Sequence, residues 1–296
     1  DGDGTIVTVN GDPKTAAQLP FTTDWIASGT SLTYAFTSPV TVDAGKQYIW
    51  VSTFGLSQSS QGNTFNVTST GTVTAEYTDQ YKVTFDASAN VKADGMGTIV
   101  TVNGDNKAAA QLPFTTDWIT SGTPITYAFT SPVTVDAGKQ YIWVSTSGLS
   151  QSSQGNTFNV TSTGTVTTQY TDQYNVSFDA SANVKADGTG AIVTVNGNTK
   201  TAAQLPFTDW VTNGTQITYV FADPVGAGTG KQYVWVSTSG LGQSLRGNTF
   251  DVTSAGTVTA VYSDQYKVTF DASANVKAYG QDAIVAVNGD PKTAAQ

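Results

Sequence analysis

Three Asp-Trp pairs are the residues best placed to do chemistry: Asp24/Trp25, Asp117/Trp118 and Asp209/Trp210. A carboxylate beside an aromatic face can hold a sugar ring. A Trp after a polar turn can equally plug a β-sheet core, and core aromatics are far commoner than binding platforms. The expectation is a core role, with glycan contact as the alternative. "DGDG" at 1–4 offers the carboxylates and carbonyls that calcium takes. Its counterparts are "DGMG" (94–97), "DGTG" (187–190) and "YGQD" (279–282), and Gly226 replaces Asp43 and Asp136. No metal site common to the chain is expected; Asp/Gly turn chemistry is.

Two sets of lysines recur, Lys46/Lys139/Lys231 and Lys92/Lys185/Lys277. A desolvated Lys beside acids could crosslink to Asn or Asp. On the strand that opens each unit, however, Lys82 gives way to Asn175 before Lys267 returns, and Glu76 becomes Gln169 and Val261. An isopeptide is not the expectation. Asn-X-Ser/Thr sequons stand at Asn66, Asn159, Asn175 and Asn213, glycan candidates in an exported chain. There is no His and no Cys, so imidazole and thiol chemistry are out. No carboxylates sit at a spacing that singles them out for catalysis. The chain is read as a non-enzyme without cofactors.

The elements that must position these residues are repeated. "TDW" ends at Trp25, Trp118 and Trp210; "GKQY" begins at Gly45, Gly138 and Gly230; "DQY" ends at Tyr81, Tyr174 and Tyr266. The intervals are 93 and 92 residues, one Thr being dropped before Trp210. Such self-similarity marks a tandem array. Within a unit the apolar period is two. "SLTYAF" puts Leu32, Tyr34 and Phe36 on one face, and "TIVTVNG" runs a strand into Asn-Gly, a type I′ turn pair. "QYIWVS" is read as a central strand, Tyr48 and Trp50 on one face, Ile49 and Val51 on the other. Helical signal is negligible, "KTAAQ" (14–18) being the one doubtful spot and too short to stand. The fold class expected is all-β: tandem Ig-like β-sandwiches of about 92–93 residues, six or seven strands each.

The organisation expected is an incomplete repeat 1 (1–79) lacking its first strand, complete repeats 2 (80–172) and 3 (173–264), and a tail (265–296) with the first strand and hairpin of a further repeat. At each joint the alternation never slips: Tyr77, Asp79, Tyr81; Tyr170, Asp172, Tyr174; Tyr262, Asp264, Tyr266. A flexible linker would be Gly/Ser-rich. The last strand of one sandwich is instead expected to continue into the first strand of the next, from 73 to 85, 166 to 178 and 258 to 270, stiffening the joint. The ends overlap, "VNGDPKTAAQ" occurring at 9–18 and 287–296. This suggests a window cut from a longer array. The alternative is strand donation between subunits through Tyr266, Val268 and Phe270.

The units "YKVTFDASANVKADG", "ITYAFTSPV", "GKQYIWVSTSGL" and "GTVTA" resemble the tandem Ig-like repeats of prokaryotic, archaeal-type cell-surface and filament proteins. The resemblance covers the whole chain. It implies an extracellular structural or adhesive role: a segment of a filament or stalk, or else an adhesin that binds glycans through its Asp-Trp pairs. Implied partners are other copies, further repeats, and neighbouring cells or surfaces. The net charge of −9 argues against nucleic acid, and no apolar run approaches the ~20 residues of a membrane span.

Overall fold

Alternation of apolar and polar residues builds the sheets. In the computed structural model, which describes residues 4–279 and 282–293, the chain is all-β. It forms two compact units, Asp1–Gln173 and Tyr174–Gln296. Repeat 2 shows the complete sandwich. One sheet pairs the hairpin Thr98–Val102/Asp105–Ala108 with Pro124–Phe129 and Gly155–Asn159. The other orders Phe114–Thr115, Val83–Ala87, Gly164–Ala180, Lys139–Ser147 and Val133–Thr134. Ile125, Tyr127 and Phe129 of the first sheet meet Val83, Phe85 and Val166 of the second in one core. The Asn-Gly turns form as the sequence demands: Asn103 and Gly104 both hold positive φ, as do Asn10/Gly11 and Asn196/Gly197.

The first strand of a repeat closes its own sandwich in a specific way. Val83–Ala87 lies parallel to the last strand of the same repeat, Val83 opposite Gly164 and Ala87 opposite Thr168. In the second unit, Val176 lies opposite Gly256 and Ala180 opposite Ala260. Val83, Phe85, Val176 and Phe178 are fully buried by this pairing. Burying a Val or Phe side chain is worth roughly 1.5–3 kcal/mol.

Three sequence expectations need correction. First, only Gly164–Ala180 is one unbroken strand across a joint. At the first joint Thr74–Tyr81 and Val83–Ala87 part at Lys82, whose N–H donates to the Gly45 carbonyl at 2.9 Å. At the third, Gly256–Tyr266 ends at Tyr266, and 267–273 are not strand. Second, each opening segment leads into a helical turn the sequence reading missed, Ala89–Asp94, Ala182–Asp187 and Ala274–Tyr279, although the segment before the third is not strand. The turn exists to bury one side chain, Val91 or Val184. Gly95 ends it because a Cβ there would stand 2.4 Å from the Val91 carbonyl oxygen. "KTAAQ" supplies only the 3-10 turn Ala16–Gln18. Third, Val51 is 51% exposed and does not share a buried face with Ile49. The register slips between Trp50/Tyr77 and Ser52/Glu76, so Val51 is the extra residue of a β-bulge.

Candidate functional site

The first joint lies wholly within one compact unit and can be built residue by residue. Thr74–Tyr81 is paired on one side with Lys46–Phe54 of its own repeat. On the other it meets Ile119–Thr120 of repeat 2, Ile119 opposite Tyr81 and Thr120 opposite Gln80. Tyr81 is buried in the core of repeat 2, so one strand serves two sandwiches. Its hydroxyl donates to Asp79 at 2.7 Å, and Ser121 N–H donates to the Asp79 carbonyl at 2.9 Å. Thr163 Oγ1 donates to the Lys82 carbonyl at 3.0 Å, closing the joint from the far loop.

The other joint residues anchor each repeat. Tyr77, Tyr170 and Tyr262 donate to the carbonyls of Thr37, Thr130 and Ala222 at 2.8, 2.6 and 2.7 Å. Burial holds the Tyr170 and Tyr262 hydroxyls well above the usual phenol range. Asp172 accepts from Asn90 Nδ2 at 2.8 Å and Asp264 from Asn183 Nδ2 at 2.7 Å, tying the helical turn to the last strand. Tyr174 packs partly buried against the core of repeat 3. Tyr266 is 66% exposed.

Beside this tie sits an ionic cluster. Lys139 Nζ is 2.9 Å from Asp94 and 3.7 Å from Asp172, while Tyr141 donates to Asp94. Lys231 repeats the arrangement with Asp187, Asp264 and Tyr233. Burial opposes the Lys139 ammonium, but its bonds to Tyr141 and Asp94 outweigh that and raise its pKa. Burial, then the bond to Asp94, pushes Tyr141 up to about 12. A Lys held protonated is the opposite of the free amine that amide formation needs. Lys92 and Lys185 each lie 2.8 Å from an Asp, with about a quarter of each lysine side chain exposed (both 27%). These are ion pairs rather than buried crosslink precursors.

The Asp-Trp pairs occupy three different environments. Trp118 lies under Lys82, whose Nζ stands 4.8 Å from its ring. Trp210 is half-buried on the strand Phe207–Thr212, where Asp209 Oδ1 accepts from the Trp210 N–H at 2.9 Å. Trp25 is fully exposed, which overturns the expected core role. Repeat 1 has no counterpart of Lys82 among its described residues to cover the ring. Asp24 and Asp117 are exposed.

Of the sequons, Asn66, Asn159 and Asn213 are exposed at strand ends or in a turn, and Asn175 is half-buried within Gly164–Ala180. The carboxylates of "DGDG" at 1–3 lie outside the described residues. Among the described residues no helix is long and apolar enough to cross a membrane. Nor do three His, Cys, Asp or Glu gather there as metal ligands would.

No family model matches the chain, and no curated protein matches it. Among solved structures, one similar chain is described as Streptococcal High Identity Repeats in Tandem (SHIRT) domains 3-4 from cell surface protein. It is 14% identical over 62% of this chain and 99% of that chain, with a TM-score of 0.17.

Proposed function

We propose that the chain is a structural segment of an extracellular, cell-surface array: a stalk or filament of Ig-like repeats, with no catalytic role. The observation that carries this reading is the joint. Within the first unit, one strand serves two sandwiches at Tyr81, paired to repeat 1 on one side and to Ile119–Thr120 of repeat 2 on the other. A chain evolved for independently moving binding modules would separate them with Gly/Ser linkers. Here the connecting residues carry the anchors Tyr77, Tyr170, Tyr262, Asp172 and Asp264 instead. Exposed Thr pairs support a hydrated surface, with Thr33/Thr64, Thr126/Thr157 and Thr218/Thr249 hydroxyls 2.7, 2.6 and 2.8 Å apart. Asn66, Asn159 and Asn213 are its glycan acceptors.

The adhesin reading has less support, because the Asp-Trp pairs do not repeat as a platform. The experiment is labelling of intact source cells with antibody to repeat 2, paired with the mass of the boiled, denatured native material. Labelling without permeabilisation is expected; label confined to permeabilised cells sinks the surface reading. A very large polypeptide indicates a covalent array, and a subunit near 30 kDa a non-covalent one.

A further inference from the structure

Four Asn-Gly pairs lie within repeats 1 to 3, opening at Asn10, Asn103, Asn196 and Asn213. The pair that best makes a tight hairpin is also the one most open to a slow reaction of its own backbone. The glycine nitrogen gives up its proton to base and attacks the asparagine Cγ. A C–N bond forms, the Cγ–Nδ2 bond breaks and ammonia leaves. Water then opens the cyclic succinimide at either carbonyl, giving aspartate or isoaspartate. Glycine favours the attack because it has no Cβ to block it, and asparagine counts among the thermolabile residues. At the glycines the four pairs are alike. Gly11, Gly104, Gly197 and Gly214 all hold positive φ, and each has open space where a Cβ would stand.

At the asparagines they differ. In each of the three hairpins the Asn Oδ1 accepts from the N–H of a threonine on the adjacent third strand, Thr33, Thr126 or Thr218, at 2.9 Å. The N–H of the same Asn donates to the carbonyl of that threonine at 2.8 Å. Side chain and backbone are thus tied to one residue, and the carboxamide does not swing toward the glycine nitrogen while the third strand is paired. Asn213 is exposed, in the turn between Phe207–Thr212 and Gln216–Phe221. Among the described residues its side chain makes no hydrogen bond. One backbone bond restrains the pair, Gly214 N–H to the Val252 carbonyl at 2.8 Å. We propose that Asn213 is the residue of repeats 1 to 3 at which this chain deamidates, and that the third strand holds the hairpin asparagines unreacted. The stakes at the two kinds of site also differ. Isoaspartate runs the backbone through the side chain and lengthens it, which in a two-residue turn shifts the hairpin register. At Asn213 the added atom falls outside both neighbouring strands. Repeats 1 and 2 carry Ser28 and Ser121 at this position, so the reactive pair is peculiar to repeat 3. The proposal does not depend on the extracellular reading.

The test uses the 296-residue chain without attached glycans, aged in mildly alkaline buffer either folded or in urea. Trypsin cuts after Lys14, Lys92, Lys107, Lys185, Lys200 and Lys231, which places the four pairs in four separate peptides. Mass spectrometry then follows the exchange of NH2 for OH in each. Expected in the folded chain is conversion at Asn213 to a mixture of aspartate and isoaspartate, with each hairpin asparagine slower by about tenfold or more, as the need to break its bond to the third strand dictates. In urea the difference disappears. Asn213→Ser, which installs the residue of repeat 2, removes the reaction from that peptide and leaves the melting temperature unchanged. Hairpin asparagines that convert as fast as Asn213 in the folded chain overturn the proposal. So does an Asn213 that stays intact in the folded chain while the chain in urea converts.

Discussion

Repeats 1 and 2 share most of their sequence and one compact unit, yet they are packed to different depths. In repeat 2, Val83, Phe85, Val91, Val100, Tyr127, Val133, Tyr141 and Val166 are all essentially sealed from solvent. Among the described residues of repeat 1, the apolar side chains buried to that class are Val7, Tyr34 and Val40. The residues are the same at most positions; among the described residues, an opening strand is paired to the last strand in repeat 2 and not in repeat 1. The effect reaches well beyond the slot. Leu19 and Phe21 are 37% and 39% exposed, Phe21–Ile26 is not strand, and Val73 is half-buried where Val166 is at 0%. The opening strand is therefore the element that organises both the segment across from it and the start of the last strand.

The comparison can be broken most directly at the equivalent phenylalanines. Phe85→Ala should destabilise the first unit by about 3–5 kcal/mol, as expected for a sealed ring, whereas Phe270→Ala, at an exposed position, should change stability by no more than about 0.5 kcal/mol. Urea unfolding of both variants checks this; equal effects would mean that 267–273 is already packed. Hydrogen exchange sharpens the same contrast, since amides at 164–168 should be protected to near the global unfolding limit and those at 71–73 exchange faster by orders of magnitude.

Acid and base should distinguish the ionic clusters. Asp94 lies below its ordinary pKa: burial opposes the charge, but its bonds with Tyr141 and Lys139 prevail. Asp187 is lowered by bonds from Tyr233 and Lys231, and Asp264 chiefly by Asn183. A carboxylate with a depressed folded pKa stabilises above its unfolded value and loses that contribution as pH falls through the folded one. Lys139, raised in the folded state, and Tyr141, at about 12, stabilise fully below about pH 10 and lose it above. Thermal midpoints should be flat from about pH 5 to 9 and fall on both sides. Asp94→Asn should cost roughly 0.5–1 kcal/mol at pH 7, discounted for partial exposure, and soften the acid limb. Trp118→Ala should cost about 1 kcal/mol through lost contact with Lys82, comparable to Asp94→Asn. The smallest effect is at the exposed Trp25, where Trp25→Ala should stay within about 0.5 kcal/mol of nothing, all read by denaturant midpoint. A loss of sugar binding in Trp25→Ala without unfolding would revive the adhesin reading.

Much of the architecture was legible because it depends on local chemistry. Period-two alternation gave the strands, and Asn-Gly gave the hairpins with φ > 0 at both residues. The helical turn was missed because six residues with one buried Val carry no 3.6-residue pattern; the usable signal was Ser88 and Gly95 bracketing it. The bulge at Val51 was hidden by a run that is apolar on both faces. The environment of Trp25 could not be read at all. "FTTDW" is identical in repeats 1 and 2, and only the neighbour that supplies Lys82 separates a covered ring from a bare one.

One feature of the fold has a consequence for tension. In each complete repeat the strand that enters and the strand that leaves are parallel neighbours, five residues paired side by side. A force pulling a repeat apart by its two ends drags these strands past each other along their length. The ladder is then loaded in shear, all its bonds sharing the strain, instead of being unzipped one bond at a time. Repeats 2 and 3 carry this clamp, so each resists a pull along the array through its whole ladder at once.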